Sequence, residues 1–503
     1  MSTWRRRLSA SAAAALSITG LGVATATVAH AATCTTYYIS TSGSDSNSGC
    51  SSSAPWASIA KVNDTTFAAG AGILFEDGDS WTGELHPLGN GAGGDHIVIS
   101  NYGSGADPII AGGGAAAAVY LDDQSFWTIE NLDITNTASA AAVRSGILVE
   151  NDTDGLLKGI SILDNDVHNV LGYWTSTADD QPSTSAGIAF NLNDAYTTNG
   201  WDEVTIEGNT LNDDDAAGIY LGSLAGTGHD IYTGEVTILN NSLTDIGGSD
   251  VVCIYCDDAV VEYNVATDNG ARYSGAGFWT AISTGGYWQY NEISDQQRAA
   301  SDGQAFDLDH ATTDVTVQYN YTHDNPWGFF EFCCTGSNGS VDPVVRYNIS
   351  QDDGADEAVF RLFGVNTSGT AQIYNNTVYV GSSTNSAITV DGPASDNLYL
   401  TNNIIDNLGS GGYATSADEI WNYNTYYGEH PSTEPTDAHK LTTNPDFDDP
   451  GGAGSGRSSA SAYILESGSP DLGTGTLISN NGGLDYFGNT VSSTASPNRG
   501  AYQ

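Results

Sequence analysis

The chain has 503 residues, with 61 acidic residues against 13 lysines and arginines and a formal net charge of −48. This charge argues against nucleic acid and anionic membranes as partners, because both are bound through basic surfaces. Clustered carboxylates instead suit calcium, which prefers oxygen ligands. We therefore expect no nucleic-acid or membrane partner, and calcium as a cofactor.

The N-terminal segment has the features of a secretory signal peptide. Arginines occupy positions 5–7, an apolar run covers 8–28, and Ala29-His30-Ala31 fits a cleavage site with two small residues. No later stretch is apolar enough to cross a membrane. We predict a signal peptide over 1–31 and a secreted, extracellular, monomeric protein.

A short β-rich phrase that ends in asparagine recurs through the middle of the chain. The intervals centre near 28 residues, which fits a coil of three short strands joined by turns. The pattern predicts an all-β, right-handed parallel β-helix of about eleven coils between Asn101 and Asn424, with the asparagines stacked for structural reasons. We place this domain at 32–430 and a C-terminal cap and tail at 431–503. The asparagines are Asn101, Asn131, Asn165, Asn209, Asn241, Asn264, Asn291, Asn320, Asn348, Asn376 and Asn403.

A second apolar phrase in each coil predicts one exposed face of the solenoid. Strand residues alternate between the two faces of a sheet, so an inward column of Ile and Phe implies an outward column between them. That outward column places aromatic rings, which bind sugars, beside carboxylates and a cation, which can do acid–base chemistry. The column reads Tyr220, Tyr255, Trp279, Asp307, Glu331, Arg361 and Thr389, with Asp302, Asp309, Arg298, His310 and His323 in or beside the same coils.

The cysteines are expected to form disulfides, since secretion favours oxidation. A bond between Cys34 and Cys50 would close a short N-terminal loop. The remaining cysteines form two pairs in the sequence, Cys253 with Cys256 and Cys333 with Cys334. A zinc site shared by these pairs is the weaker alternative, because the repeat places them about three coils apart.

Three segments resemble secreted parallel β-helix proteins of the pectate-lyase-like superfamily: residues 37–63, residues 72–85 and the C-terminal end at 469–503. Within this resemblance, residues 301–325 are similar to the Asp-Gly-rich coils of family 9 polysaccharide lyases, which bind calcium through aspartates. The resemblance implies a calcium cluster that includes Asp302 and Asp307. In VFRLFG (359–364), Arg361 stands where that family has its catalytic lysine.

Three functions follow. The leading prediction is a calcium-dependent lyase that cleaves a uronic-acid polymer by β-elimination, with Arg361 as base and Asp302, Asp307 and Asp309 on the metal. The alternative is a glycoside hydrolase with Asp307 and Glu331 as the carboxylate pair. The third is a non-catalytic glycan-binding solenoid. The predicted substrate-binding residues are Tyr220, Tyr255, Trp279, Arg298, His310 and His323.

Overall fold

A computed structural model of the chain describes residues 34–173, 185–193, 195–223, 232–299, 302–333, 339–366, 369–391 and 397–503. The predicted signal peptide lies outside these residues. The described chain is a right-handed parallel β-helix in which successive coils add strands to three long parallel sheets of 15, 13 and 10 strands. The predicted fold class is therefore confirmed.

From Ile97 to Asp391, successive coils run through sheet 1, then sheet 2, then sheet 3. The strands of sheet 1 are Thr36–Ile39, Gly72–Glu76, Ile97–Tyr102, Trp127–Glu130, Leu156–Leu163, Gly200–Glu207, Thr233–Leu239, Cys256–Asp257, Val260–Glu262, Tyr287–Gln289, Thr316–Gln318, Val344–Arg346, Ala371–Tyr374, Leu398–Thr401 and Glu419–Asn422. The strands of sheet 2 are Ser80–Thr82, Ile109–Ala111, Asp133–Asn136, Asp166–Val170, Thr210–Asn212, Ser242–Thr244, Val265–Thr267, Glu292–Ser294, Tyr321–His323, Ile349–Gln351, Thr377–Val380, Ile404–Asn407 and Thr425–Gly428.

Sheet 3 carries the face that the sequence singled out. Its strands are Ala117–Asp122, Ser145–Asn151, Ala186–Leu192, Ala217–Gly222, Val251–Ile254, Phe278–Ala281, Phe306–Leu308, Phe330–Phe332, Ala358–Leu362 and Ala387–Asp391. A short helix at Ile59–Asn63 and the strand pair Thr66–Phe67 and Leu88–Gly89 lie near the N-terminal end, and a 3-10 helix covers Arg457–Tyr463. Inward side chains of all three sheets form one continuous apolar core.

A ladder of buried asparagines joins the coils at the turn between sheets 1 and 2. The Asn320 amide donates to the Asn348 Oδ1 atom at 2.9 Å and to the Trp288 carbonyl at 2.8 Å, while its own Oδ1 atom accepts from the Asn291 backbone N–H at 2.9 Å. The same pattern repeats from coil to coil. The members are Asn165, Asn209, Asn241, Asn264, Asn291, Asn320, Asn348, Asn376, Asn403 and Asn424.

The ladder begins later than the spacing predicted. Asn131 has a φ of 54°, and the next residue, Leu132, occupies the ladder position by donating its N–H to Asn165. Asn101 bonds to Asp107 at the surface. The left-handed residue of the turn is the one before each ladder asparagine, and it is a tyrosine at positions such as Tyr290, where φ is 56°.

The C-terminal segment packs back along sheet 2. Phe447 and Tyr463 join outward side chains of that sheet in a second apolar cluster, and the Tyr463 hydroxyl donates to Gln351 at 2.7 Å. The segment also reaches sheet 1, where Arg346 donates to the Asn480 carbonyl at 2.7 Å. Among the residues that the structure describes, no helix is long and apolar enough to span a membrane.

Disulfides account for the described cysteines. Cys253 is bonded to Cys256, and Cys34, Cys50 and Cys333 are also disulfide-bonded. The zinc alternative is therefore wrong for the C-x-x-C pair, since zinc needs free thiolates. Cys334 lies outside the described residues.

We expect Asn320→Ala to lower the free energy of unfolding by about 3 kcal/mol, because it leaves buried backbone and amide groups without partners. Urea or thermal unfolding followed by circular dichroism measures this. Asn101→Ala is the matched control, since its amide is exposed, and it should leave stability nearly unchanged. Equal losses in both variants would contradict the structural role of the ladder.

Candidate active site

The candidate site lies on the outward face of sheet 3, where four predicted residues form consecutive rungs. Trp279 pairs with Asp307, Asp307 with Glu331, and Glu331 with Arg361. Parallel pairing spaces such neighbours about 4.8 Å apart, so the two carboxylates and the guanidinium are stacked directly. This part of the predicted outward column is present in the structure.

Two more aspartates join this column. Asp309 follows Asp307 on the same face, and the two side chains place carboxylate oxygens within 4.8 Å of each other. Asp302 precedes the same strand, and its backbone N–H donates to the Ser274 hydroxyl at 2.9 Å. The coil that contains Phe306–Leu308 thus supplies three of the four clustered carboxylates, and the next coil supplies Glu331.

Arg361 holds part of this cluster together. Its Nη1 atom lies 2.7 Å from the Glu331 Oε2 atom and 3.8 Å from the Asp302 Oδ1 atom, and its Nε atom lies 3.9 Å from Glu357. The guanidinium also lies 4.9 Å from the centre of the Phe363 ring. The guanidinium thus bridges the buried Glu331 and the two more accessible side chains of Asp302 and Glu357.

Burial divides the four carboxylates into two classes. The side chains of Asp302 and Asp309 are 37% and 20% exposed, whereas Asp307 and Glu331 are buried. Loss of water raises the pKa of Asp307 well above its usual range and raises the pKa of Glu331 to about 8, although Arg361 opposes both shifts. The neighbouring carboxylates add to both shifts. The buried pair therefore retains protons at a pH where exposed carboxyls are ionised.

An arginine, a tryptophan and a histidine border the carboxylates. The Arg298 guanidinium stacks 3.3 Å from the centre of the Trp327 ring, and the Arg361 guanidinium is 5.5 Å from the same ring. A Cβ atom at Gly303 would lie 2.9 Å from the Arg298 Cβ, so glycine permits this close approach. His310 Nδ1 is 3.1 Å from Asp309, and this hydrogen bond raises the pKa of His310.

The predicted row of exposed aromatic rings is not present. Tyr220, Tyr255 and Trp279 are all buried, and the Trp279 indole donates to the Ser249 hydroxyl at 2.9 Å. Tyr255 is also outside the column, because Val252 pairs with both Tyr220 and Trp279. The prediction of an exposed sugar-binding row was therefore wrong for these three rings, which belong to an apolar cluster on the outward face of sheet 3.

Two further positions differ from the prediction. Val390 pairs with Arg361, while Thr389 pairs with the inward Phe360 and is buried, so the last rung is shifted by one residue. His323 lies on sheet 2 instead of beside the carboxylates of sheet 3. It is buried there between Glu292 and Asp324, at 3.4 and 2.9 Å, and is not placed to bind substrate at this site.

Three residues around the site were missed by reasoning from the sequence: Trp327, Glu357 and Phe363. Trp327 lies in a turn, where strand alternation gives no prediction. Glu357 stands four residues before Arg361. That spacing predicts a side-chain contact in a helix but not in a turn, so the sequence carries no usable signal for it. Phe363 directly follows Leu362 and could have been placed on the outward face by alternation.

The metal-binding potential of the site centres on Asp307 and Asp309. Their carboxylate oxygens converge with the Cys333 sulfur, which is in a disulfide and cannot bind as a thiolate. One buried Asp307 oxygen has no hydrogen-bond partner among the described residues. Asp302 is not part of this group of ligand atoms. Calcium binding by Asp302, Asp307 and Asp309 stays a prediction.

Comparison with known proteins gives a relative that degrades carbohydrate. No family model matches this chain. A lacto-N-biosidase of Bifidobacterium longum subsp. longum is 27% identical over 553 aligned residues, which cover 88% of this chain and 33% of the relative. The chain therefore spans about a third of the length of the curated relative that it matches.

Solved structures support the fold. A GH136 lacto-N-biosidase from Eubacterium ramulus superimposes with a TM-score of 0.60 and 23% identity, over 77% of this chain and 67% of that chain. A PL6 family alginate lyase, AlyGC, gives a TM-score of 0.54 and 11% identity, over 86% and 57%. These proteins are lacto-N-biosidases and a PL6 lyase, so a special similarity to family 9 lyases is not supported.

We expect Arg361→Ala to lower the free energy of unfolding by about 3–5 kcal/mol above pH 8, where Glu331 is ionised, because the buried carboxylate then loses its charged partner. Denaturant unfolding measures this. Adding Glu331→Gln to Arg361→Ala should recover part of the loss. Lys158→Ala removes an ion pair with Asp202 at an exposed lysine and is the control that should change little. A fully stable Arg361→Ala variant would contradict the pairing.

The raised pKa of Glu331 predicts a pH dependence of stability. A carboxyl whose pKa is raised in the folded state stabilises the fold most below its unfolded value, and this contribution is lost as pH rises through its folded value. For Glu331 the window runs from the ordinary value of 4.5 to about 8. The thermal midpoint should therefore fall across this window, and Glu331→Gln should flatten the profile. An identical slope in both proteins would refute the assignment.

Proposed function

We propose that this chain is a glycoside hydrolase that acts on a neutral glycan outside the cell. The observation that carries this proposal is the pair of accessible carboxylates, Asp302 and Asp309, in the same cluster as two buried carboxyls. Glycosidic-bond hydrolysis needs one carboxyl group as a proton donor and a second as nucleophile or base. Both must reach the substrate, which favours the exposed pair.

The buried groups have a supporting role in this proposal. The carboxylate oxygens of Asp307 and Asp309 lie within 4.8 Å of each other, and Arg361 joins Glu331 to Asp302. Because burial keeps protons on Asp307 and Glu331, the site avoids accumulating four negative charges at neutral pH. We therefore assign the roles of proton donor and of nucleophile or base to Asp302 and Asp309, which reasoning from the sequence had assigned to calcium.

The contacts of Arg361 count against a lyase. An arginine that abstracts a proton must first lose its own, and here the accessible carboxylates of Asp302 and Glu357, at 3.8 and 3.9 Å, form ion pairs that would be lost with that proton. A polyuronate would also meet the carboxylates of the cluster, which repel its own carboxylates. A neutral sugar does not have this cost.

The surroundings of the site favour the release of a short unit over binding of an extended polymer along sheet 3. On the N-terminal side of Asp307 the outward column consists of Trp279, Val252 and Tyr220, which are all buried. The described residues therefore leave no open groove on that side. The relative from Bifidobacterium is a lacto-N-biosidase, and we propose a terminal lacto-N-bioside as the first substrate to test.

Secretion and a monomeric state belong to the same proposal. They rest on the signal-peptide features at 1–31 and on an acidic chain with a net charge of −48. Asp307 and Asp309 would be the first ligands of a calcium ion if one is needed.

Asp302→Asn and Asp309→Asn should each lower kcat on p-nitrophenyl lacto-N-bioside by about 10²–10⁴-fold, because each amide can neither donate the required proton nor act as nucleophile. The thermal midpoint of both variants should stay close to that of the parent, since both side chains are accessible. Asp448→Asn makes the same chemical change at an exposed position in the C-terminal segment and should retain full activity.

The product distinguishes the hydrolase from the other functions. A panel of neutral glycans and polyuronates, with calcium or with EDTA, should give new reducing ends without the ultraviolet absorbance of an unsaturated uronate. Such absorbance on a polyuronate, lost with EDTA, would establish the lyase instead. Saturable binding without any product would establish a glycan-binding solenoid.

A further inference from the structure

A groove on sheet 1 lies on a different face of the solenoid from the carboxylates. Its floor comes from two neighbouring strands, Ala371–Tyr374 and Leu398–Thr401, and one wall comes from Ile478 of the C-terminal segment. The lining residues are Thr370, Gln372, Tyr374, Tyr399, Thr401 and Ile478.

The register between the strands places an aromatic ring at the centre of this groove. Gln372 pairs with Tyr399, and Tyr399 pairs with Ile420 on the following coil. Tyr399 is 37% exposed and Ile420 is 45% exposed. Tyr374 pairs with Thr401 one step along the same face. The groove therefore offers a ring with an accessible surface, flanked by an amide and two hydroxyl groups.

The wall is held in place by hydrogen bonds that do not involve the groove's open side. The Tyr374 hydroxyl accepts from the Arg346 Nη1 atom at 2.9 Å and donates to the Asn480 carbonyl at 3.3 Å. Arg346 also donates to that carbonyl at 2.7 Å. Two residues before Asn480, Ile478 packs against the cluster of Tyr319, Tyr347 and Tyr374. The groove is thus formed before any ligand arrives.

The chemistry of the lining points to an uncharged ligand. The chain carries 61 acidic residues, yet none of the six lining side chains is charged. An apolar aromatic face with amide and hydroxyl groups around it matches a pyranose, whose ring has an apolar face and whose hydroxyl groups form hydrogen bonds at its edge.

We propose that this groove is a second saccharide site, which binds a neutral sugar unit through Tyr399 and lies apart from the catalytic carboxylates. Binding here does not require hydrolysis at sheet 3. The identity of the natural ligand rests on the proposed function, because a second site on a hydrolase would hold another part of the same substrate.

The test is a titration of the full chain carrying Asp309→Asn, which slows turnover, with lacto-N-biose, cellohexaose and xylohexaose as separate probes. Tyr399→Ala in this background should weaken binding of at least one probe by tenfold or more at one of two sites. The matched control is Tyr287→Ala. Tyr287 stands in the same outward column of sheet 1, four rungs away, and is also exposed.

The outcomes separate this proposal from the hydrolase. Unchanged binding in Tyr399→Ala, an equal loss in Tyr287→Ala, or no saturable binding of any probe would overturn the second site, whatever the catalytic result. In the otherwise unmodified chain, Tyr399→Ala should leave kcat/KM on the small p-nitrophenyl substrate unchanged. A fall there would also contradict a site separate from the carboxylates.

Discussion

The register between coils is the constraint on which the rest of this structure depends. A one-residue slip in a strand moves every side chain to the opposite face. The asparagine ladder opposes such a slip, because each amide bonds to the asparagine of the next coil and to a carbonyl of the coil before it. With the register fixed, Asp307, Glu331 and Arg361 must lie on one outward line.

Placing carboxyl groups on adjacent rungs creates an electrostatic problem that the site resolves in two ways. Arg361 pairs with the charge of Asp302 and donates a hydrogen bond to Glu331, and burial keeps protons on Asp307 and Glu331. The accessible carboxylates, Asp302 and Asp309, can then ionise without four charges in contact. Arg361 and the buried acids therefore act together to limit the negative charge of the cluster.

Period and alternation were sufficient to predict the parallel β-helix and the column through Asp307, Glu331 and Arg361, because both depend on local spacing. They could not predict the burial of Trp279, which depends on what packs over the outward face. They also failed at Tyr255 and Thr389, where the strand pairs through a different residue from the one that the aligned phrase suggested. The Trp327–Arg298 stack is formed by turns, which have no period to read.

The distribution of exposure on sheet 3 has a consequence for how the substrate approaches. A side chain can do chemistry on a glycan only where the outward face is open, and among the described residues of the column the accessible carboxyls cluster at the coil of Phe306–Leu308. The coils before it present a closed apolar face. A parallel β-helix can form a long groove along one sheet, but here the accessible part of sheet 3 is confined to one short region. This geometry supports the proposed cleavage at the end of a glycan, and the proposed saccharide site on sheet 1 would hold another part of that glycan.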